Sequence, residues 1–194
     1  MNLVPEIIMI PFIFLIGSIF GSFLNVVIYR VPKKMSIIRP RSHCFSCNEP
    51  INFKDNLPIA GYFILKGKCR NCGAQFPSRY AFVELITAML SVCVYLIYGV
   101  NETFIIYLSL TYLLIAITFV DIDHFIIPNG FVLSGLVLLL LGLYLGWIPI
   151  AWEDALSGSF VFAGFLFGIG LIGQFILGKE SIGCLLYTSD AADE

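Results

Sequence analysis

Thr103-Phe-Ile-Ile-Tyr-Leu-Ser-Leu-Thr-Tyr-Leu-Leu-Ile-Ala-Ile-Thr-Phe-Val120 carries no charge, and it runs directly into Asp121-Ile-Asp123-His124. A helix of this length and composition fits the apolar core of a bilayer, which takes roughly 20 residues to cross. The chain repeats the pattern. Ile7–Ile28, Phe125–Trp152 and Ala155–Gly178 are also charge-free, and Ala81–Val100 is broken only by Glu84. Of the 194 residues 59% are hydrophobic and 12% charged, about half the charged fraction of a soluble domain. A soluble protein with buried helices would need amphipathic helices to cover such a core, and the sequence offers none. The expected fold is an all-α polytopic integral membrane protein with about five transmembrane helices.

The first apolar run does not read as a cleaved signal peptide. Met1–Glu6 has no positive charge, the run is longer than a signal core, and Tyr29-Arg30 ends it as a membrane anchor would. Ten of the eleven Lys and Arg lie from Arg30 to Arg79, opposed there only by Glu49 and Asp55. The positive-inside rule puts that loop in the cytoplasm and the N-terminus outside. Counting spans then puts Asn101-Glu102 outside, Asp121–His124 inside, Trp147–Asp154 outside and Lys179 inside. The expected organisation is a first transmembrane helix over 1–29, a basic cytoplasmic loop over 30–80, and a membrane core over 81–183.

The last stretch, Cys184–Glu194, abandons the membrane pattern. It matches the translation of a transposon-library sequencing adapter, so it is expected to be read-through rather than fold. A genuine short polar C-terminus is the alternative. Without Asp190, Asp193 and Glu194 the net charge moves from −2 to +1. On this reading the natural protein continues beyond Gly183 and the chain is a fragment.

The basic loop holds Cys44-Phe-Ser-Cys47 and Cys69-Arg-Asn-Cys72, separated by 21 residues. A CxxC turn lets two thiolates converge on one ion, and two turns complete a tetrahedron. The spacing lies just beyond the usual range for zinc sites. Two disulfides or four free thiols are the competing readings, and a reducing cytoplasm argues against the first. Four sulfurs leave no open position for water, so a zinc here would be structural, giving a small zinc-ribbon-like loop. His43 is a further possible ligand. Cys93, inside a span, reads as a packing residue. A basic zinc ribbon also suits nucleic acid, but topology already explains the charge and no aromatic stacking stripe accompanies it, so no nucleic acid is expected.

Ionisable groups at span ends are functional by default, although Asp121 and Asp123 also suit a plain solvated helix end. Aspartic peptide hydrolysis needs two carboxylates sharing a proton. Residues two apart on a helix point to different sides. A partner for Asp121 should therefore come from another span.

Several segments, in order, resemble the bacterial prepilin peptidases. They are Gly21-Ser-Phe-Leu-Asn25-Val-Val-Ile-Tyr-Arg30-Val-Pro32, then Gly67-Lys-Cys69-Arg-Asn-Cys72, then Arg79-Tyr-Ala-Phe-Val-Glu84-Leu. Asp121-Ile-Asp-His-Phe-Ile-Ile-Pro128 and Gly178-Lys-Glu-Ser-Ile-Gly183 follow. The resemblance spans about Ile16 to Gly183. It implies a membrane aspartic endopeptidase of the GxGD type in the bacterial inner membrane. Its substrate would be the prepilin or pseudopilin precursor of a type IV pilus or type II secretion system, cut on the cytoplasmic side to remove a basic leader. Many such enzymes then methylate the new N-terminus with S-adenosylmethionine. Asp121 matches the first catalytic aspartate. The second is expected just after Gly183, where the adapter-like tail stands, so the chain as given is expected to be inactive. Gly21, Asn25, Arg30, Asp123 and Pro128 belong to the signatures without an assigned role. Asn129 stands where many relatives carry an acidic residue. A non-enzymatic zinc-ribbon membrane scaffold is the alternative function.

Overall fold

The computed structural model describes residues 3–52 and 55–177. The chain is an all-α polytopic membrane protein, with no strand among the described residues. Its helices are α1 (Leu3–Arg30), α2 (Ala60–Ile64), α3 (Arg79–Tyr98), α4 (Glu102–His124), α5 (Asn129–Tyr144) and α6 (Trp152–Leu177). Among the described residues three are long and apolar enough to cross a membrane: α1 from Ile8 to Arg30, α3 and α4. At 1.5 Å per residue each spans about 30 Å or more, the thickness of the hydrocarbon core.

The charge-free run 125–152, expected to be one span, forms only the 16-residue α5. That is about 24 Å of helix. Phe125 in the left-handed region closes α4, and Gly146 at φ +70 follows the end of α5. Turns at both ends therefore use residues that composition alone assigned to the membrane. The last expected span forms the 26-residue α6, charged only in its first turn at Glu153 and Asp154. From Leu156 to Ile172 its described side chains are nearly all exposed, as lipid-facing residues are.

α1, α3 and α4 pack on one another, and α5 packs on α4. The core holds Leu24 and Ile28 of α1, Val83 of α3, and Ile115, Ala116, Phe119 and Val120 of α4. These positions gather at one end of the bundle, where Arg30, Arg79 and Asp121 also lie. Apolar side chains that would be buried in a soluble protein stand exposed around it, among them Ile8, Phe12, Leu114 and Leu133. Between helices in lipid, close backbone approach replaces the hydrophobic effect as the source of affinity. Gly17 and Gly21, one turn apart on α1, provide it. A Cβ on Gly21 would lie 2.7 Å from the Cα of Glu84, and one on Gly17 would lie 2.8 Å from the Cα of Ala88. Buried Ser91 adds a polar link, 2.9 Å from the Tyr112 hydroxyl.

Gly21→Leu is therefore expected to force α1 off α3 and cost about 1–3 kcal/mol, the usual range for overpacking. Gly158→Leu, on α6 with nothing within 4 Å, should be neutral. Thermal unfolding of the two variants in one detergent compares them, and equal melting would contradict the packing argument.

α3 and α4 form a hairpin. Asn101 caps α4, its side chain accepting the Phe104 N–H at 2.7 Å, and Glu102 follows in the first turn. Asn101 satisfies a free donor, and Glu102 places negative charge at the positive end of the helix dipole.

Candidate metal centre and carboxylate site

The two CxxC segments fold into the same turn. The Cys44 N–H donates to Glu49 O at 2.9 Å and Asn48 N–H to Cys44 O at 2.9 Å. In the second turn Cys69 N–H donates to Ala74 O at 2.8 Å and Gly73 N–H to Cys69 O at 3.0 Å. The residue after each second cysteine takes the left-handed region: Asn48 at φ 57 and Gly73 at φ 72. Asparagine and glycine are the residues that adopt it at least cost, so the turn is written locally in both halves.

Tertiary folding brings the halves together. Cys44 and Cys72 sulfurs lie 3.7 Å apart, those of Cys47 and Cys69 4.0 Å, and all four lie within 4.8 Å of one another. Four sulfurs at 2.3 Å from a zinc ion would be about 3.8 Å apart. No disulfide joins these cysteines. The thiols also interact as acids. Cys44 is held down at about 6, first by the Cys47 and Ser46 backbone N–H groups. The Glu49 N–H would lower Cys47 as well, but burial and the other three thiols push it up to about 12. Negative charge placed on one sulfur opposes charge on the next, and a bound cation removes that opposition. The donor set can thus hold a metal ion. His43 is not part of it: its Nδ1 lies 2.9 Å from Arg41 O.

Side chains dock this ribbon onto the membrane helices. Phe45, inside the first CxxC, packs on Tyr29 of α1 at 5.2 Å between rings. Buried Glu84 of α3 accepts the Ile59 N–H at 2.7 Å, at the start of α2. Arg70 and Asp55 form a two-pronged ion pair at 2.6 and 2.9 Å, and Arg70 holds the Asp55 carboxyl below its ordinary value.

Three signature residues of α1 now have places. Gly21 is the close-approach point described above. Asn25, 7% exposed, donates from Nδ2 to Tyr80 O at 3.0 Å, which fixes the first turn of α3 on α1. Arg30, also 7% exposed, donates to three carbonyls, Ser36 O at 2.9 Å, Ile37 O at 3.3 Å and Pro40 O at 2.7 Å. It folds the start of the loop back over the end of α1. Pro128 caps α5, where its missing N–H costs nothing.

Asp121 and Asp123 both sit in the last turn of α4. Asp121 is exposed, and its carbonyl accepts the Phe125 N–H at 2.8 Å. The Asp123 carboxylate is paired with Arg79, the first residue of α3. Sequence reading missed that pair, although span counting already put both residues on the same membrane face. The region matching Gly178–Gly183, Lys179 and the adapter-like tail lie outside the described residues.

Comparison with known proteins agrees with this arrangement. The family model described as Bacterial Peptidase A24 N-terminal domain matches residues 15–98. The chain is 33% identical over 204 residues to a prepilin leader peptidase/N-methyltransferase of Myxococcus xanthus, covering 92% of this chain and 59% of that protein. It is 34% identical to the type 4 prepilin-like proteins leader peptide-processing enzyme of Escherichia coli O78:H11, covering 86% and 69%. It is 35% identical to a prepilin leader peptidase/N-methyltransferase of Aeromonas salmonicida, covering 88% and 67%. No solved structure matches the chain. At 34–35% identity over most of its length to relatives of which it covers 67–69%, the chain belongs to the bacterial prepilin leader peptidase/N-methyltransferase family.

Proposed function

We propose that the chain serves as a membrane aspartic endopeptidase that removes the basic leader of type IV prepilins or pseudopilins on the cytoplasmic face of the inner membrane. One observation carries the site assignment. Both aspartates ending α4 are exposed; Asp123 is paired with Arg79, while the Asp121 carboxylate has no ion-pair partner among the described residues. A carboxylate whose oxygen is engaged by a guanidinium is not free to face a second carboxylate. Asp121 is left as the group that activates water. Its partner is the aspartate of the G-x-G-D motif that family members carry after the segment matching Gly178–Gly183. One carboxylate acts as base toward water and the other as acid toward the scissile carbonyl. The test is cleavage of a synthetic prepilin by the reconstituted enzyme with and without Asp121. Full activity without Asp121 would overturn the site assignment, and no cleavage even with Asp121 in place would favour the non-enzymatic scaffold.

The division into a first span over 1–29, a zinc-binding loop over 30–80 and a membrane peptidase core over 81–183 follows this reading. Zinc is the proposed metal of Cys44, Cys47, Cys69 and Cys72, and its role is to hold the loop in shape. Methyl transfer from S-adenosylmethionine is the second activity in the relatives' names. The Gly21–Arg30 segment does not fit that cofactor: Glu84 fills the space beside Gly21, and Asn25 Nδ2 and the Arg30 guanidinium are engaged by backbone carbonyls. No step is assigned through it here.

Orientation gives a direct check. Reporter fusions after Arg79 and after Lys179 are expected to behave as cytoplasmic, and one near Glu102 as external. An external signal after Arg79 would overturn the topology and the reducing environment of the four thiols.

A further inference from the structure

We infer that Arg79 is a positioning residue for Asp121, acting through Asp123, an inference that rests on the assignment of Asp121 above. Three contacts and the backbone of α4 form a continuous chain. Asn25 Nδ2 on α1 donates to Tyr80 O at 3.0 Å and fixes the first turn of α3. Phe82, in the same turn, meets Phe119 of α4 edge to face at 6.2 Å. Arg79, the first residue of α3, pairs its Nη1 with Asp123 Oδ2. Asp123 lies two residues after Asp121 in the last turn of α4, immediately before Phe125 closes the helix in the left-handed region.

The geometry of a helix turns this pair into a rotational stop. Residues two apart project about 200° from each other. Holding Asp123 toward Arg79 therefore points Asp121 to the opposite side, away from the only cation given to this turn by α3. The last turn of a helix is where fraying is easiest, because its carbonyls lack intrahelical partners. Here the turn is pinned at Asp123 and at Phe119. The pair also neutralises Arg79. A free guanidinium at this point would compete for the Asp121 carboxylate and draw it away from a second carboxylate.

The experiment uses the enzyme carrying its G-x-G-D aspartate, reconstituted in nanodiscs, with Arg79→Gln, Asp123→Asn and the exchanged pair Arg79→Asp/Asp123→Arg. Asp121→Ala serves as the control on the reading beneath. Each single variant is expected to lower kcat for prepilin cleavage by about 10- to 100-fold, the scale of a small misplacement of a reacting group. KM and zinc content should stay within about twofold of the parent, a split that general unfolding would not give. Hydrogen exchange at the Phe125 amide should speed up by about tenfold in the single variants, while amides of α1 are unchanged. The exchanged pair should restore both readouts. Unchanged kcat in Arg79→Gln, with Asp121→Ala inactive, would overturn the inference. So would single variants whose exchange at Phe125 matches the parent, or an exchanged pair no better than either single change. An active Asp121→Ala would instead defeat the underlying assignment, a result separable from these.

Discussion

Asp121→Ala abolishes leader cleavage in an enzyme that carries the G-x-G-D aspartate, with the zinc ribbon and folded yield intact. The expected loss is several orders of magnitude rather than a few fold. Two carboxylates at short range cannot both ionise, so one acts as base while the other holds the proton. Removing either leaves no complement for the group that remains, and acid–base catalysis alone contributes about 10²–10⁴-fold on each side of the reaction. Asp121 is exposed at the end of α4, so the fold should tolerate alanine. Cleavage of a synthetic prepilin, followed by mass spectrometry of the released leader, measures the effect. Asp123→Ala is expected to hurt less, because its carboxylate serves Arg79 and not the substrate. Equal losses at both positions would mean that the two aspartates share one role, contrary to the pairing observed.

Cys44→Ser and Cys72→Ser are each expected to remove zinc, from about one ion per chain to none, and to open the loop. Structural thiolate sites bind zinc with apparent free energies of about 10–16 kcal/mol near neutral pH. Beyond the cluster the loop is held by a few contacts, among them Phe45 on Tyr29 and Glu84 at the Ile59 N–H. Its one named helix is the five-residue α2, and its apolar groups Phe45, Ile38 and Phe63 are exposed. Cys44 is 1% exposed and its sulfur sits 3.7 Å from that of Cys72, so either serine breaks the tetrahedron. Metal analysis of protein purified under reducing conditions gives the first readout, and protease sensitivity between Arg30 and Arg79 the second. Parent protein free of zinc with its four thiols reduced would exclude the metal assignment. Protection of the loop unchanged by the serine variants would show that the metal does not hold it. Cys93→Ser, in α3 and apart from the cluster, should change neither readout.

Much of this was legible before the structure. Charge-free runs give α1, α3 and α4 because a bilayer demands uninterrupted apolar length, and that demand is a property of sequence alone. The four-cysteine cluster is legible for a similar reason. Each CxxC turn is local, and the left-handed residue after it is an asparagine or glycine in both copies. Length failed for the run 125–152, where turns at Phe125 and Gly146 take residues out of the helix. A turn made by a bulky residue in the left-handed region leaves no signal in hydropathy.

The sequence by itself determined the helical membrane class, the cysteine pairs, the placement of basic charge and the aspartates at a span end. Each is set by periodicity, composition or spacing within one segment. Only the tertiary structure decided what the signature residues do. Gly21 lies against Glu84, Asn25 holds Tyr80, Arg30 gathers three carbonyls, and Arg79 takes Asp123. These are contacts between groups far apart in the chain, and a side chain's partner is fixed by how helices cross, which no single helix encodes. The same reason separates the two aspartates. In composition they are equivalent acids at one helix end, and the approach of α3 is what pairs Asp123 with Arg79 and not Asp121.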